Sequence, residues 1–337
     1  MKIAVDAMGS DKGYRVLVDG AVAAADKYGI HSILVGKEDL IKEYLSHLKY
    51  PSDLISVYNA TEVVEMKEMA KESLKKKDSS IAVAARIVSE GLADGLVSVG
   101  NTGASLATTL LQWKKLKGID RPAIATLIPT PTEHCILLDI GAGVDCKPNW
   151  LLQFAIMGNV YAREILNRKN PRVGILSIGE EEVKGNELTL KTRDLLKQSH
   201  LNFIGNAEGR DVLKGNFDVI VCDGFVGNIL LKFGEKLVEM VFTEIKKEIK
   251  KSPIAILGAL LAKPALTRFK KRVDYTETGG GPLLGVNGVC IIGHGSSNSK
   301  AVMNAIKMAS EFVNHNVNKQ IEEELEKDHT LVEEKES

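Results

Sequence analysis

Gly95-Leu96-Val97-Ser98-Val99-Gly100-Asn101-Thr102-Gly103-Ala104 is a short, nearly unbroken apolar run that opens into a glycine-bearing loop and then into a helix. A strand with one face in water alternates apolar and polar residues, whereas a strand covered on both faces reads as a continuous apolar run. The same pattern recurs at 3–5, 32–35, 55–57, 123–128, 135–139, 173–178, 202–204, 219–222 and 289–292. Between these runs, segments such as 81–90, 149–167, 186–198 and 298–314 carry helical spacing. The expected fold class is therefore α/β, with a doubly wound, mostly parallel sheet in a Rossmann-like α/β/α sandwich.

Two regions break that rhythm. Residues 227–251 hold a helical pattern of unusual length, followed by 252–262 and then 263–272, so a helical arm at about 236–275 is expected to protrude from a single α/β domain over 1–318. From Lys246 to Arg272 there are nine basic residues, including Lys270, Lys271 and Arg272, against one acidic residue, Glu248. Ile254, Ile256, Leu257, Leu260 and Leu261 occupy an uncharged run at the centre of that arm. The run is too short to span a bilayer but suits insertion at its interface, with flanking cations facing anionic headgroups; packing across a dimer interface is the competing use. Residues 319–337 are rich in Glu and poor in apolar side chains, which predicts a frayed helix or flexible acidic tail.

Bulk properties narrow the function. A chain of 337 residues, 44% hydrophobic, can bury a full core, and 44 Lys plus Arg offset 44 Asp plus Glu. No net field draws in nucleic acid. The opening MKIAVDAMGSD reaches Asp6 before any apolar run fit for a signal peptide, and no stretch of about 20 apolar residues occurs. A cytoplasmic location follows as the expectation. Cys135, Cys146, Cys222 and Cys290 are scattered, without CxxC or zinc-ligand spacing, and are expected to be reduced and mostly buried.

Ligands of open parallel sheets bind beyond the carboxyl ends of the strands. Glycine-bearing loops occupy five such places: Gly100–Gly103, Gly141–Gly143, Gly179 through Gly185-Asn186, Asp223-Gly224 through Gly227-Asn228, and Gly293-His294-Gly295-Ser296-Ser297-Asn298. One such loop is ordinary turn chemistry. Five of them, with hydroxyl and amide side chains at helix starts, point to an anion site in a shared crevice. No GxxxxGK[ST], no GxGxxG in the first βα turn and no GxSxG occur, which disfavours ATP, dinucleotide and serine-hydrolase chemistry.

Asp6 through Asp11, Ser98 through Ala104, Leu138 through Pro148, Ile178 through Glu187, Asp223 through Asn228, and Pro282 through Gly288 continuing to Gly293-His294-Gly295-Ser296-Ser297 closely resemble the phosphate acyltransferases of phospholipid synthesis. Ser10, Gly143 and Gly281 depart from the residues common in that family. The resemblance implies transfer of a long-chain acyl group from acyl carrier protein to inorganic phosphate, giving acyl phosphate. It also implies a homodimer, no cofactor, and loose association with the membrane, where an embedded glycerol-3-phosphate acyltransferase uses the product. A phosphotransacetylase-like enzyme using acetyl-CoA and a non-catalytic membrane scaffold are the alternatives.

Phosphate is itself a nucleophile, so such an enzyme needs to hold it against a thioester and stabilise an oxyanion. The candidate catalytic residues are Lys184, Asn228 and His294. Lys184 either neutralises phosphate or the oxyanion, or balances Glu180–Glu182 in solvent. Asn228 and Asn101 either donate to the ligand or cap helices. His294 either protonates the leaving thiolate, orients phosphate, or is structural. Gly9, Ser10, Asn101, Thr102, Gly103, Ser296 and Ser297 are the candidate phosphate-binding residues. Asp6, Asp139 and Asp223 at strand ends cap loops, orient Lys184 or hold magnesium, with no required metal expected. Cys146 lies near Lys147, which lowers a thiol pKa, but an acyl-cysteine route is not expected. The basic flanks of the arm suit either a membrane or the acidic carrier protein.

Overall fold

The computed structural model describes residues 1–273 and 275–328, with Lys270 and Tyr275 described by their backbones alone. The strands are β1 Lys2–Asp6, β2 His31–Gly36, β3 Ile55–Asn59, β4 Gly95–Ser98, β5 Ala123–Pro129, β6 His134–Leu138, β7 Val173–Leu176, β8 Phe203–Ala207, β9 Val219–Val221, β10 Gly281–Leu284 and β11 Val289–Ile292. The helices are α1 Tyr14–Tyr28, α2 Glu38–Ser46, α3 Ala70–Ser73, α4 Ser80–Ser89, α5 Thr102–Trp113, α6 Pro148–Glu164, α7 Glu187–Gln198, α8 Gly224–Lys250, α9 Pro253–Val273, α10 Ser299–Asn314 and α11 Val317–Lys327.

The strands join in one mixed, mostly parallel sheet in the order β3-β2-β1-β4-β11-β10-β5-β6-β9-β7-β8. On one side β3, β2, β1, β4 and β11 run parallel. On the other, β6, β9, β7 and β8 run parallel. Between them lie three antiparallel steps, β11 to β10, β10 to β5 and β5 to β6. An odd number of reversals leaves the two parallel halves pointing in opposite directions. Each apolar run read as a strand is one, but β10 had no such signal, because Gly279-Gly280-Gly281-Pro282 reads as a turn.

Continuous apolar runs are explained by helices on both faces. Ile3 and Val5 join Leu17 and Ala21 of α1 and Val302 and Ile306 of α10 in one core. Ala4 between them points the other way, to Val83 and Ile87 of α4. Leu96 and Val97 divide in the same manner.

Among the described residues, helix α8 is anchored at its start, where Gly224 and Gly227 are its buried residues. Farther along it packs against α9, with Phe242 and Phe269 rings 5.8 Å apart. The arm therefore begins earlier than residue 236. Ile254, Ile256, Leu257, Leu260 and Leu261 are all exposed on it, and the side chain of Lys270 lies outside the described residues. The expected tail divides. Val317, Ile321 and Leu325, four residues apart, form a buried stripe that seats α11 on α6, while residues 329–337 lie outside the described residues.

Glycines 224 and 227 make the arm's anchorage possible. A Cβ on Gly227 would overlap the Asp139 carbonyl oxygen and come within 3.0 Å of the Cys222 sulfur, whereas one on Gly234, farther along α8, would meet nothing. We predict that Gly227→Ala costs about 1–3 kcal/mol by overpacking. Gly234→Ala is expected to stabilise by up to ~1 kcal/mol through helix propensity. Thermal denaturation of the two variants checks this, and equal melting temperatures would contradict it.

Candidate active site

Strand direction sorts the glycine loops into two sets. Loops after β1, β4 and β11 leave one end of the strands, and loops after β6, β9 and β7 leave the opposite end. Among the described residues no hydrogen bond joins the sets. The single crevice expected from a uniformly parallel sheet is thus replaced by two loop clusters, because the three reversals were not readable in sequence.

The first set is closed upon itself. Gly9 and Gly100 touch backbone to backbone, a Cβ on Gly9 falling 3.0 Å from Cα of Gly100, so these glycines serve loop packing. Ser10 Oγ donates to the Gly295 carbonyl at 3.2 Å. Asn101 takes its capping role: Oδ1 accepts from Ala104 N at 3.0 Å, while Nδ2 donates to the carbonyls of Glu65, Met66 and Glu68. Gly9, Asn101, Asp6, Ser80, Ser98 and Ser105 line a cavity of about 10 Å³, room for a single water. Ser98 Oγ donates to Asp6 at 2.9 Å, and burial pushes the Asp6 carboxyl up against that hydroxyl and the nearby backbone donors. Thr102 and Gly103 remain exposed at the first turn of α5. His294 Nδ1 accepts from Ser296 N at 3.2 Å and meets Ser296 Oγ at 2.7 Å, which places the proton of a neutral ring on Nε2. Ser297 Oγ is buried without a partner among the described residues.

The second set is organised by Asp139, which is fully buried. Its Oδ1 accepts from the backbone N–H groups of Ile124, Gly141 and Ala142 at 2.9, 3.1 and 3.1 Å, and Oδ2 accepts from Gly143 at 2.7 Å. Burial pushes this carboxyl up, and the four donors pull against that. Gly224 lies directly against the same carboxylate and donates its N–H to the Gly143 carbonyl at 2.7 Å. Asp223 caps α8 by accepting from Val226 N at 3.0 Å. Asn228 is therefore released from capping. It sits half-buried one turn in, its side chain against Gly141 and without a hydrogen bond among the described residues.

Lys184 lies in the β7 loop, and β7 neighbours β9 in the sheet. Asn206 Nδ2 donates to the carbonyls of Gly179, Glu181 and Lys184, fixing that loop from behind. Glu180 is paired with Arg210 at 2.9 Å and Glu182 with Lys197 at 2.6 Å. The Lys184 ammonium is exposed and has no ion pair among the described residues. Val144, Ile178 and Val183 on these loops and Phe225, Ile229 and Phe233 in the first turns of α8 are exposed apolar residues, Ile178 and Val183 82% and 81% exposed.

Nothing in 203–207 distinguishes Asn206 from an ordinary strand residue. Arg121 likewise carries no sequence signal, yet its Nη2 donates to the Ala142 carbonyl at 3.2 Å. Of the candidate catalytic residues, Lys184 and Asn228 come to one end of the sheet and His294 to the other.

The fold is shared with enzymes of this kind. A phosphotransacetylase from Streptococcus pyogenes superposes over 93% of this chain and 94% of its own, with TM-score 0.62 and 17% identity. A branched-chain phosphotransacylase from Enterococcus faecalis V583 covers 94% of this chain and 99% of its own, with TM-score 0.58 and 14% identity. A 4-hydroxythreonine-4-phosphate dehydrogenase from Klebsiella pneumoniae covers 93% and 99%, with TM-score 0.56 and 11% identity, so the scaffold serves more than one chemistry. Sequence comparison defines the class as an acyltransferase. Residues 1–320 match the family described as fatty acid synthesis protein. The phosphate acyltransferase of Desulfitobacterium hafniense (strain DCB-2) is 51% identical over 327 residues, 96% of this chain and 98% of that protein. That of Aquifex aeolicus is 51% identical over 322 residues, 95% and 96% respectively. The chain belongs to the phosphate acyltransferase family.

The thiols are ill suited to nucleophilic attack. Burial pushes Cys146 up to about 11 and Cys135 up to about 12, and Cys222 and Cys290 are also raised by burial. A raised pKa leaves the protonated thiol dominant at neutral pH, with thiolate appearing only as pH climbs towards the raised value. Cys146 is therefore expected to react with iodoacetamide at pH 8 at least roughly tenfold slower in the native protein than after unfolding. A variant lacking all four cysteines should keep substantial activity. A stable acylated cysteine in mass spectra of the wild type would overturn this.

Proposed function

We propose that the chain transfers a long-chain acyl group from acyl–acyl carrier protein to inorganic phosphate, producing acyl phosphate by direct attack. The observation that carries this reading is the set of unspent groups at one end of neighbouring strands: Lys184 and the Asn228 amide, both without a partner among the described residues, with exposed apolar residues on the same loops and helix start. A phosphate oxygen attacks the thioester carbonyl carbon, the carbon–sulfur bond breaks, and the phosphate O–H proton goes to the departing thiolate. Hydrogenphosphate and thioester thus become acyl phosphate and free thiol with charge conserved. Lys184 offsets phosphate or oxyanion charge, and Asn228 donates to the same oxygens. His294, at the other end of the sheet, is assigned no proton transfer.

These exposed apolar residues favour a long acyl chain over acetyl, which would leave them without a partner. Release of free thiol from long-chain acyl–acyl carrier protein, dependent on added phosphate, tests the reading. Acetyl-CoA serving equally well would favour the phosphotransacetylase alternative, and no release would favour the scaffold. Lys184→Ala should lower turnover at least roughly tenfold, the scale of one charge-assisted contact, with the fold intact. Wild-type turnover in that variant would remove Lys184 from the mechanism.

The arm is assigned to association with the cytoplasmic membrane face, in a homodimer whose basic flanks also suit acidic carrier protein. Ile254, Leu257, Leu260 and Leu261 face solvent on α9, with Lys271 and Arg272 near its end. Replacing Ile256, Leu257 and Leu260 by Asp should abolish binding to anionic liposomes while dimer and soluble activity persist. Loss of the dimer would instead assign these residues to packing, and unchanged liposome binding would end the membrane reading.

A further inference from the structure

We propose that Arg121 is the guanidinium that anchors the phosphate nucleophile, an assignment that rests on the transfer reading above. Its position follows from the sheet reversal. Strand β5 runs antiparallel to β6 with Ala125 opposite Leu138, so the residues just before β5 lie level with the loop just after β6. Arg121 is thereby carried to the Asp139-organised turn, although 18 positions separate it from Asp139 in sequence.

The local geometry leaves the guanidinium poised and unspent. Its Nη2 donates to Ala142, its Nε lies 3.8 Å from where a Cβ on Gly143 would sit, and its central carbon is 5.9 Å from the Trp150 ring centroid. Among the described residues it has no carboxylate partner. A half-buried guanidinium has five N–H donors, and one bond to a carbonyl neither neutralises its charge nor uses its fork. The fork matches two oxygens of a phosphate, which a lysine point charge does not. Asn228 lies at the Gly141 end of the same turn, its side chain 3.8 Å from where a Cβ on Gly141 would sit. Phosphate between them would meet a cation on one side and an amide on the other, with Asp139 holding the turn from beneath. Lys147, also 5.9 Å from the Trp150 ring, is the competing cation, but it is exposed and, among the described residues, makes no hydrogen bond to the turn's backbone.

The test compares wild type, Arg121→Lys and Arg121→Ala. Thiol release from long-chain acyl–acyl carrier protein is measured at varied phosphate, and phosphate binding is measured separately by phosphorus NMR line broadening. Arg121→Ala should raise the KM for phosphate at least roughly tenfold, with the KM for the acyl donor unchanged and line broadening lost in parallel. Arg121→Lys should show a smaller rise of the same kind. A folded Arg121→Ala with wild-type phosphate KM and broadening overturns the assignment, as does an equal loss of both substrates. If Arg121→Ala does not fold, Arg121→Lys decides, and unchanged phosphate behaviour there is equally fatal. A wild type that broadens the phosphate signal without releasing thiol would defeat the transfer reading while leaving Arg121 as an anion site. A wild type that does not bind phosphate defeats the Arg121 assignment itself.

Discussion

The buried carboxylate of Asp139, holding four backbone N–H groups, is the interaction on which the candidate site depends. A charge taken from water is tolerable only when its acceptor sites are filled, and here the Gly141–Gly143 turn fills them by curling around it. That curl sets the turn's outer surface, against which Asn228 and Arg121 lie. It also explains the glycines of α8. Gly224 rests on the carboxylate and Gly227 on the Asp139 carbonyl, so the helix can start only where no side chain intervenes. One buried charge thus fixes a turn, a helix origin and the root of the arm.

The two parallel halves of the sheet run in opposite directions, and the division of labour between their loops follows. In the first set, Ser10, Ser98 and Asn101 are taken up by bonds to loop backbone and to Asp6, and Gly9 packs on Gly100 beside a cavity of about 10 Å³. In the second, hydrogen bonds build the frame while the outward groups stay unspent. The pattern suits transfer between two substrates, since preorganised donors need no rearrangement as charge develops. Asn206 extends the same economy to Lys184, fixing three carbonyls of its loop and leaving the ammonium outside the network.

The arm carries a long series of apolar residues that its own packing does not cover. Helices α8 and α9 cover each other incompletely, so Phe233, Met240, Leu257 and Leu261 remain in solvent. Exposed apolar surface flanked by cations is costly unless another surface covers it, which ties the arm to association.

Much of this was legible in sequence for local reasons. Strands buried on both faces show as unbroken apolar runs, so the α/β class followed from 95–99 and its counterparts, and the long period after Gly227 announced the arm. The motifs around Asp139, Lys184 and Asp223 marked the family because a turn's chemistry is written in consecutive residues. The sequence could not show the direction in which a strand enters the sheet. Gly281–Leu284 has no strand pattern, yet its antiparallel pairing with β11 and β5 begins the reversal that divides the loops. Asn101 and Asn228 look equivalent as letters, but one caps its helix and bonds three carbonyls while the other is left unbonded beside Gly141. Arg121 carried no signal at all, since only the antiparallel register of β5 on β6 brings it to the turn. Local propensity and burial pattern act along the chain and can be read there. Strand direction, close backbone approach and the consumption of donors depend on residues far apart in sequence, and the tertiary structure alone decided them.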